Sequence, residues 1–164
     1  MELIQIAVLL SALLCALVAG LVLTFAVVVM PGIRTLGSRD YLKAFKAIDG
    51  VIQNNQPVFM LVWLGSVVVL LATAVLGIWR LEGIDRMLLL VACASYMFGV
   101  QAPTVTINIP LNNRLQSQDL DTMPESEVLA TAGDFDSRWL RWNTIRTVIA
   151  ILTTIVLLVL LVRM

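Results

Sequence analysis

The sequence predicts an all-α fold, an integral membrane antiparallel four-helix bundle with an amphipathic interfacial helix between the first two spans. Of its 164 residues, 60% are hydrophobic and only 13% are charged, whereas a soluble domain carries roughly a quarter charged residues. The apolar residues also form four long runs, and about 20 such residues cross a bilayer as a helix. We therefore predict a single transmembrane domain over residues 1–164, with spans at about 3–30, 57–79, 87–109 and 139–162.

The first span is interpreted as a retained helix rather than a cleaved signal peptide. Its apolar run is longer than the core of about 7–15 residues that a signal peptide has. In addition, no Lys or Arg precedes Arg34. Proline lacks an amide hydrogen and glycine weakens a helix, so Met30, Pro31 and Gly32 are expected to end this span.

An amphipathic helix is predicted over about residues 40–53, after the first span. Its polar face is assigned to Lys43, Lys46 and Asp49, and its apolar positions recur at helical spacing. These apolar positions are Tyr41, Leu42, Phe45, Ile48 and Ile52. A helix with this pattern is expected to lie in the membrane interface.

The remaining spans follow from turn signals. Pro57 suits the first turn of the second span. Only the short segment 80–86 connects the second span to the third, so these two are antiparallel neighbours. A polar, acidic loop is predicted over about residues 113–136, with Asp134 or Asp136 capping the fourth span.

The basic residues indicate how the bundle is oriented. With four spans, Arg80, Arg86 and Arg163 lie on one side of the membrane. The other side carries Arg34, Arg39, Lys43, Lys46, Arg114, Arg138 and Arg141. Because cytoplasmic segments carry the excess of Lys and Arg, the long loops 31–56 and 110–138 are predicted to be cytoplasmic, in a bacterial inner (plasma) membrane.

The composition excludes several classes of function. Lys and Arg number 11, as do Asp and Glu, so the net charge is +0; a nucleic-acid partner, which needs a basic face, is not expected. Histidine is absent, which removes the commonest metal ligand and the usual proton shuttle. Cys15 and Cys93 lie inside predicted spans, where a packing role is favoured over a disulfide or a ligand pair. No metal and no cofactor are therefore predicted.

Three polar clusters, residues 54–57, 106–114 and 138–146, reach the same end of the predicted bundle, called the polar end below. Amide and guanidinium groups are costly in hydrocarbon, so their gathering at one end indicates a function. Two alternatives stay open. Tryptophans and arginines at helix ends also form interfacial belts, and single asparagines also link helices by hydrogen bonds.

The third polar cluster, residues 138–146, places a cation, Arg146, on the fourth span. Trp139, Asn143 and Arg146 follow one another at i, i+4 and i+7 on one helical face, with Trp142 beside them. No carboxylate lies within a predicted span. Arg146 is therefore expected to bind backbone carbonyls, amide oxygens or a ligand.

The third span supplies amide groups to the same end. Gln101, Thr104 and Asn108 share one helical face. Pro103 is expected to kink this helix, and Pro110 is expected to break it soon after Asn108. Broken helices are tolerated at membrane depth where they line a cavity.

Together these side chains predict a pocket at the polar end, rimmed by amides, indoles and a guanidinium group. Such a pocket suits a flat, partly apolar molecule bearing carbonyl or phenol oxygens. It suits a small ion poorly, because no carboxylate is expected there. The candidate substrate-binding residues are Asn55, Gln56, Asn108, Asn112, Asn113, Trp139, Trp142, Asn143 and Arg146.

The polar segments resemble a known family. The sequence NIPLNNRL at 108–115, followed by RWLRWNTIR at 138–146, is similar to the anthrone-oxygenase-like family of small four-span membrane proteins, most of which have no assigned function. The segments FAVVVMP at 25–31 and NQPVF at 55–59 are similar too, so the resemblance covers nearly the whole chain.

The resemblance implies an activity, namely the oxidation of anthrones to anthraquinones by molecular oxygen, without a metal or flavin. Arg146, Asn143, Asn108 and Asn112 would then stabilise a phenolate or enolate. Because no histidine or intramembrane acid is available as a general base, the substrate would have to arrive ionised. A non-catalytic lipid-binding or quinone-binding protein, or a partner subunit of a complex, is the alternative. Homo-oligomerisation stays open, and a transporter is disfavoured because ionisable midplane residues are missing.

Overall fold

The computed structural model describes residues 2–164 and shows five helices in that part of the chain. It is 88% helical with no strand among the described residues, which confirms the all-α fold class. Four of the helices are long and apolar enough to cross a membrane, so the chain is an integral membrane protein. The helices are α1 Leu3–Ile33, α2 Ser38–Gln53, α3 Pro57–Arg80, α4 Gly83–Gln116 and α5 Glu125–Arg163.

The four long helices form an antiparallel bundle, and each predicted span lies inside one of them. α1 packs along α5 and α3, while α4 packs along α5. The Nε2 atom of Gln5 donates to the carbonyl oxygen of Met164 at 3.1 Å, which places the start of α1 beside the end of α5. The bundle core is apolar, with Val8, Leu70 and Leu157 fully buried.

The amphipathic helix α2 is present, and protein covers its apolar face. Leu42 and Phe45 are buried against the polar ends of α4 and α5, together with Phe135 and Leu115. Asp49, assigned to the polar face from the sequence, is instead only 3% exposed. The reason is geometric: Asp49 follows Leu42 by seven residues and Phe45 by four, so it shares their face.

Of the two prolines expected to end a helix, Pro31 does lie next to the end of α1, whereas Pro110 does not end α4. α1 continues through Pro31 to Ile33, and α4 continues through both Pro103 and Pro110 to Gln116. Each of the three prolines follows a single π-helical turn that ends two residues earlier. The turns are Phe25–Val29, Met97–Gln101 and Thr104–Asn108.

The π turns explain how the helices tolerate these prolines. In an α-helix the proline ring collides with the carbonyl four residues back and leaves it without a donor. In each π turn the amide just before the proline donates five residues back instead, for example from Ala102 to the carbonyl of Met97. The widened turn makes room for the ring. The helix therefore continues past the proline, with one amide donating five residues back instead of four.

The polar loop predicted over residues 113–136 is much shorter in the structure. α4 extends to Gln116 and α5 already begins at Glu125, so Asp134 and Asp136 lie inside α5 rather than capping it. The early part of α5 is helical because it has an apolar stripe that α2 and α4 bury. This stripe consists of Val128, Ala132, Phe135 and Trp139.

Polar contacts hold α2 and the segment just before it against α5. The Arg34 side chain pairs with the carboxylate of Asp136 at 2.5 Å, and this hydrogen bond raises the pKa of Arg34. The Tyr41 hydroxyl donates to the same carboxylate at 2.9 Å. Burial, followed by this hydrogen bond, raises the pKa of Tyr41. A third link joins Arg39 to Glu125 at 3.0 Å.

Candidate functional site

A cavity of about 290 Å³ lies at the polar end, between all five helices. This volume is near the lower end of the roughly 300–1,000 Å³ typical of small-molecule sites. Its walls are mostly aliphatic and aromatic. The aromatic side chains that line it are Phe25, Phe45, Phe59, Trp63 and Trp139.

Arg146 lines the cavity as a buried cation with neutral partners. Its side chain is buried, with the whole residue 6% exposed. Nη1 donates to the Thr104 hydroxyl at 2.8 Å, and Nη2 donates to the amide oxygen of Asn143 at 2.9 Å. Nε has no hydrogen-bond partner within residues 2–164. The amide oxygen is one of the acceptor types expected from the sequence, and no carboxylate in the described chain pairs with Arg146.

Asn143 fixes the guanidinium of Arg146 and ties α5 to α1. Its Nδ2 donates to the carbonyl oxygen of Val22 at 2.9 Å, and the residue is fully buried. Because a carbonyl only accepts hydrogen bonds, the amide orientation of Asn143 is set, and its oxygen must face Arg146.

The last residue of each π turn in α4 is a polar residue that lines the cavity. Gln101 accepts a hydrogen bond on Oε1 from the indole of Trp63 at 2.9 Å. Its Nε2 has no partner among the described residues. Asn108 donates to the carbonyl of Trp139 at a long 3.4 Å, and its Oδ1 likewise lacks a partner. π turns occur frequently at functional sites, where they re-aim side chains.

A buried carboxylate, absent from the predicted site, also lines the cavity. Asp49 accepts a hydrogen bond from Nδ2 of Asn112 at 2.7 Å on Oδ1. Its Oδ2 accepts from Gln53 at 2.7 Å and from Gln116 at 3.0 Å. Asn112 in turn accepts on Oδ1 from the indole of Trp139 at 2.8 Å, which fixes its orientation toward Asp49.

The structure brings most of the predicted site residues together. Those that line the cavity are Asn55, Asn108, Asn112, Asn113, Trp139, Asn143 and Arg146. Two others do not line it. Gln56 instead caps α3, accepting on its side-chain oxygen from the amide of Phe59 at 2.5 Å, and Trp142 is half-buried elsewhere on α5. Binding by any of these residues stays a prediction.

The most important omission from the predicted site is Asp49. Its signal was the spacing of seven and four residues after Leu42 and Phe45, which puts a carboxylate on an apolar face. Trp63 carried no signal of its own, because nothing in an apolar span distinguishes a tryptophan that faces a cavity from one that faces lipid.

Electrostatically the cavity has two poles. Among the residues that line it, Asp49 and Arg146 alone are ionisable, and they form no ion pair with one another in the described structure. Residues 2–164 contain no group of three or more Cys, Asp or Glu side chains placed to hold a metal ion. The chemistry available is therefore that of a carboxylate, a guanidinium and several oriented amides.

Fold and site together define a small polytopic helical membrane protein with a cavity of ligand size at one end of its bundle. The family model for anthrone oxygenase matches residues 56–156, which include α3, α4 and much of α5. The chain belongs to the anthrone oxygenase family, which confirms the resemblance found in the sequence. No curated protein and no solved structure matches it. α1 and α2, including Asp49, lie outside the matched residues.

Proposed function

We propose that the cavity binds a flat, partly apolar aromatic or quinone-like molecule, and that the protein oxidises this molecule with dioxygen as a cofactor-independent oxygenase of anthrone type. The observation that supports this proposal most is that aromatic walls and the buried side chains of a guanidinium and several amides line one cavity. The family to which the chain belongs supports the choice of reaction.

The unpaired atoms indicate what the ligand presents. Nε2 of Gln101 and Nε of Arg146 are donors, whereas Oδ1 of Asn108 is an acceptor. Leaving such a group unpaired in a buried site costs about 1–3 kcal/mol. Each of these atoms is shielded in the ligand-free protein but belongs to a residue that lines the cavity. We infer that these side chains rotate toward a ligand, so that a carbonyl or phenolate oxygen meets the donors, a hydroxyl meets the acceptor, and this free energy is recovered. Hydroxylated aromatic ketones carry both groups.

The proposed reaction needs no redox group from the protein. An ionised, electron-rich aromatic reduces dioxygen itself: an anthrone methylene plus O₂ gives an anthraquinone carbonyl plus water. The role of the protein is to hold the substrate anion and stabilise its charge. Arg146, oriented by Asn143 and Thr104, is the donor best suited to that role, because a preorganised charged donor in a site shielded from water stabilises a developing oxyanion.

The test uses the full-length protein in lipid nanodiscs with 1,8-dihydroxyanthrone as probe. Oxygen uptake and anthraquinone formation are measured against a protein-free control, since anthrones oxidise slowly on their own. We expect Arg146→Gln to lower the rate by about 100-fold, the usual effect of removing one oxyanion donor. Arg141→Gln is the matched control, because Arg141 is exposed and does not line the cavity. Unchanged rates in both Arg146→Gln and Asn143→Ala would remove these residues from the mechanism.

Binding is measured separately from turnover. Trp63 and Trp139 line the cavity, so a bound aromatic should quench tryptophan fluorescence, and Trp63→Phe should reduce that quenching. Quenching without oxygen uptake would favour the non-catalytic quinone-binding or lipid-binding alternative. Absence of both would reject the proposed function.

We further propose that the polar end faces the cytoplasm of a bacterial cell. α2 and the helix ends around it carry the larger share of Lys and Arg, whereas Arg80, Arg86 and Arg163 are at the opposite end. An alkaline phosphatase fused to the C-terminus should then be active, and one fused after Ser117 should be inactive. The reverse pattern would contradict this orientation.

A further inference from the structure

We propose that Asp49 is the proton acceptor of the cavity, taking the proton from a phenol or an acidic C–H group of the bound aromatic before dioxygen reacts. This inference rests on the proposed function and deepens it, because it supplies the base that the predicted spans lack. It also assigns a chemical role to α2, which lies outside the residues matched by the family model.

The composition of the cavity makes Asp49 the only protein group able to take that proton. Arg146, the other ionisable residue lining it, is a permanent cation with no acceptor atom. The remaining polar side chains are amides, indoles and a threonine hydroxyl, none of which is a base near neutral pH. Among the described residues, therefore, the proton passes to Asp49 or to water.

The hydrogen bonds around Asp49 leave one acceptor position free. A carboxylate offers about four lone-pair sites, two on each oxygen. Oδ2 accepts two hydrogen bonds, from Gln53 and Gln116, whereas Oδ1 accepts one, from Asn112. The second site on Oδ1 has no partner among the described residues, and because Asp49 lines the cavity we assign this site to the proton of the ligand. Trp139 fixes Asn112, so the free position is held by α4 and α5 rather than by a mobile loop.

Within residues 2–164 Asp49 forms no salt bridge, and its hydrogen-bond partners are neutral amides. The groups that contact it from α4 are the neutral amides of Asn112 and Gln116, and the indole of Trp139 stands behind them on α5. The nearby cation on α2, Lys46, donates its ammonium to the carbonyl of Gln118. The opposite charge in the cavity is Arg146.

Because Asp49 and Arg146 carry opposite charges in one cavity, the proton transfer moves negative charge from Asp49 toward Arg146. The phenol O–H bond breaks, a new O–H bond forms on Asp49, and no electron is transferred in this step. The negative charge leaves the carboxylate and appears on the ligand, where Arg146 stabilises it. The net charge of the cavity stays the same. Gln53 is exposed and is hydrogen-bonded to Asp49, so the proton would return from Asp49 to water on the side of Gln53.

The experiment compares Asp49→Asn with the unmodified protein in nanodiscs, with 1,8-dihydroxyanthrone as probe over a range of pH. Below the pKa of the free probe we expect Asp49→Asn to lower the rate by about 100-fold, the lower end of the usual contribution of a general base. Above that pKa the probe arrives ionised, so the variant should approach the unmodified rate. Asp121→Asn is the matched control, since that carboxylate is exposed and pairs with Lys43.

A merely structural role would give a different profile, because a distorted cavity lowers the rate equally at every pH. Asp49→Glu keeps a carboxylate and should recover part of the rate at low pH, which guards against a folding defect in Asp49→Asn. A pH-independent loss, or full activity of Asp49→Asn below the pKa of the probe, would overturn the proposal while the oxygenase function stands. If the unmodified protein neither quenches nor consumes oxygen, the proposed function itself fails.

Discussion

At the scale of single residues, the bundle holds a guanidinium group that its own side chains do not neutralise. Arg146 is bound by a hydroxyl and an amide, and these satisfy hydrogen bonds without compensating charge. Desolvating a cation in this way is unfavourable. Natural proteins retain such a cost where the group serves binding or catalysis.

We therefore predict that Arg146→Met leaves the ligand-free protein about as stable as before, because relief of the desolvated charge offsets the cost, about 1–3 kcal/mol, of leaving the Asn143 oxygen without a donor. The same variant should lose the stabilisation by ligand, which in the unmodified protein reaches about 2.7 kcal/mol at 100 times Kd. Thermal unfolding in detergent, with and without 1,8-dihydroxyanthrone, measures both effects. A loss of several kcal/mol in the ligand-free variant would instead show that Arg146 serves the fold.

At the scale of elements, the π turns of α4 decide which side chains reach the cavity. Gln101 and Asn108 each end such a turn, and a proline follows two residues later. Proline disfavours the ordinary α-helical alternative, so it keeps the widened turn in place.

We predict that Pro103→Ala lets the turn Met97–Gln101 relax toward an α-helix and withdraws Gln101 from Trp63. Binding of the anthrone probe should weaken by about tenfold, the equivalent of one hydrogen bond of about 1.4 kcal/mol. Fluorescence titration measures this change. Pro57→Ala is the control, because Pro57 lies in the first turn of α3 with no π turn before it. Equal affinities in the two variants would contradict the argument.

The elements also show how far the sequence determines the fold. The four spans follow from apolar length alone, and Arg146 and Asn143 could be placed on one face because α5 is regular there. Asn108 reaches the same cavity from the end of a π turn in α4. The prediction of a break at Pro110 was wrong. Proline breaks a regular α-helix, whereas here a π turn precedes the proline and makes room for its ring. The loop predicted over residues 113–136 was too long because contacts between helices also decide where α5 begins. The stripe that makes the start of α5 helical is buried because α2 and α4 cover it.

At the scale of the whole molecule, the buried apolar residues form two clusters. One fills the bundle between α1, α3, α4 and α5, and the other joins α2 to the polar ends of α1, α4 and α5. Residues of both line the cavity, for example Val100 from the first and Phe45 from the second. A ligand bound there would contact both clusters and couple their stabilities.

We predict that alkaline pH loosens the second cluster before the first. The pKa of Tyr41 is raised above its ordinary value of 10.0 in the folded protein, so the stability that its neutral form contributes is complete below pH 10 and declines as the pH rises beyond it. Hydrogen exchange above pH 10 should show α2 opening while α3 stays protected. Tyr41→Phe should reduce this sensitivity, and identical alkaline opening of the variant would contradict the assignment.

The π turns have one more consequence, for how such a site arises and is lost. A π turn is a helical turn with one residue too many, and each residue advances an α-helix by about 100°. The two turns in α4 therefore twist its two halves relative to each other by about 200°, so the half near Gly83 and the half near Gln116 present unrelated stripes. Deleting a single codon within Met97–Gln101 would remove one of the two extra residues and rotate the half near Gln116 by about 100°, without shortening the span appreciably. The protein would remain in the membrane with its hydrogen-bonding groups turned away, so a change of one codon separates a binding bundle from an inert one.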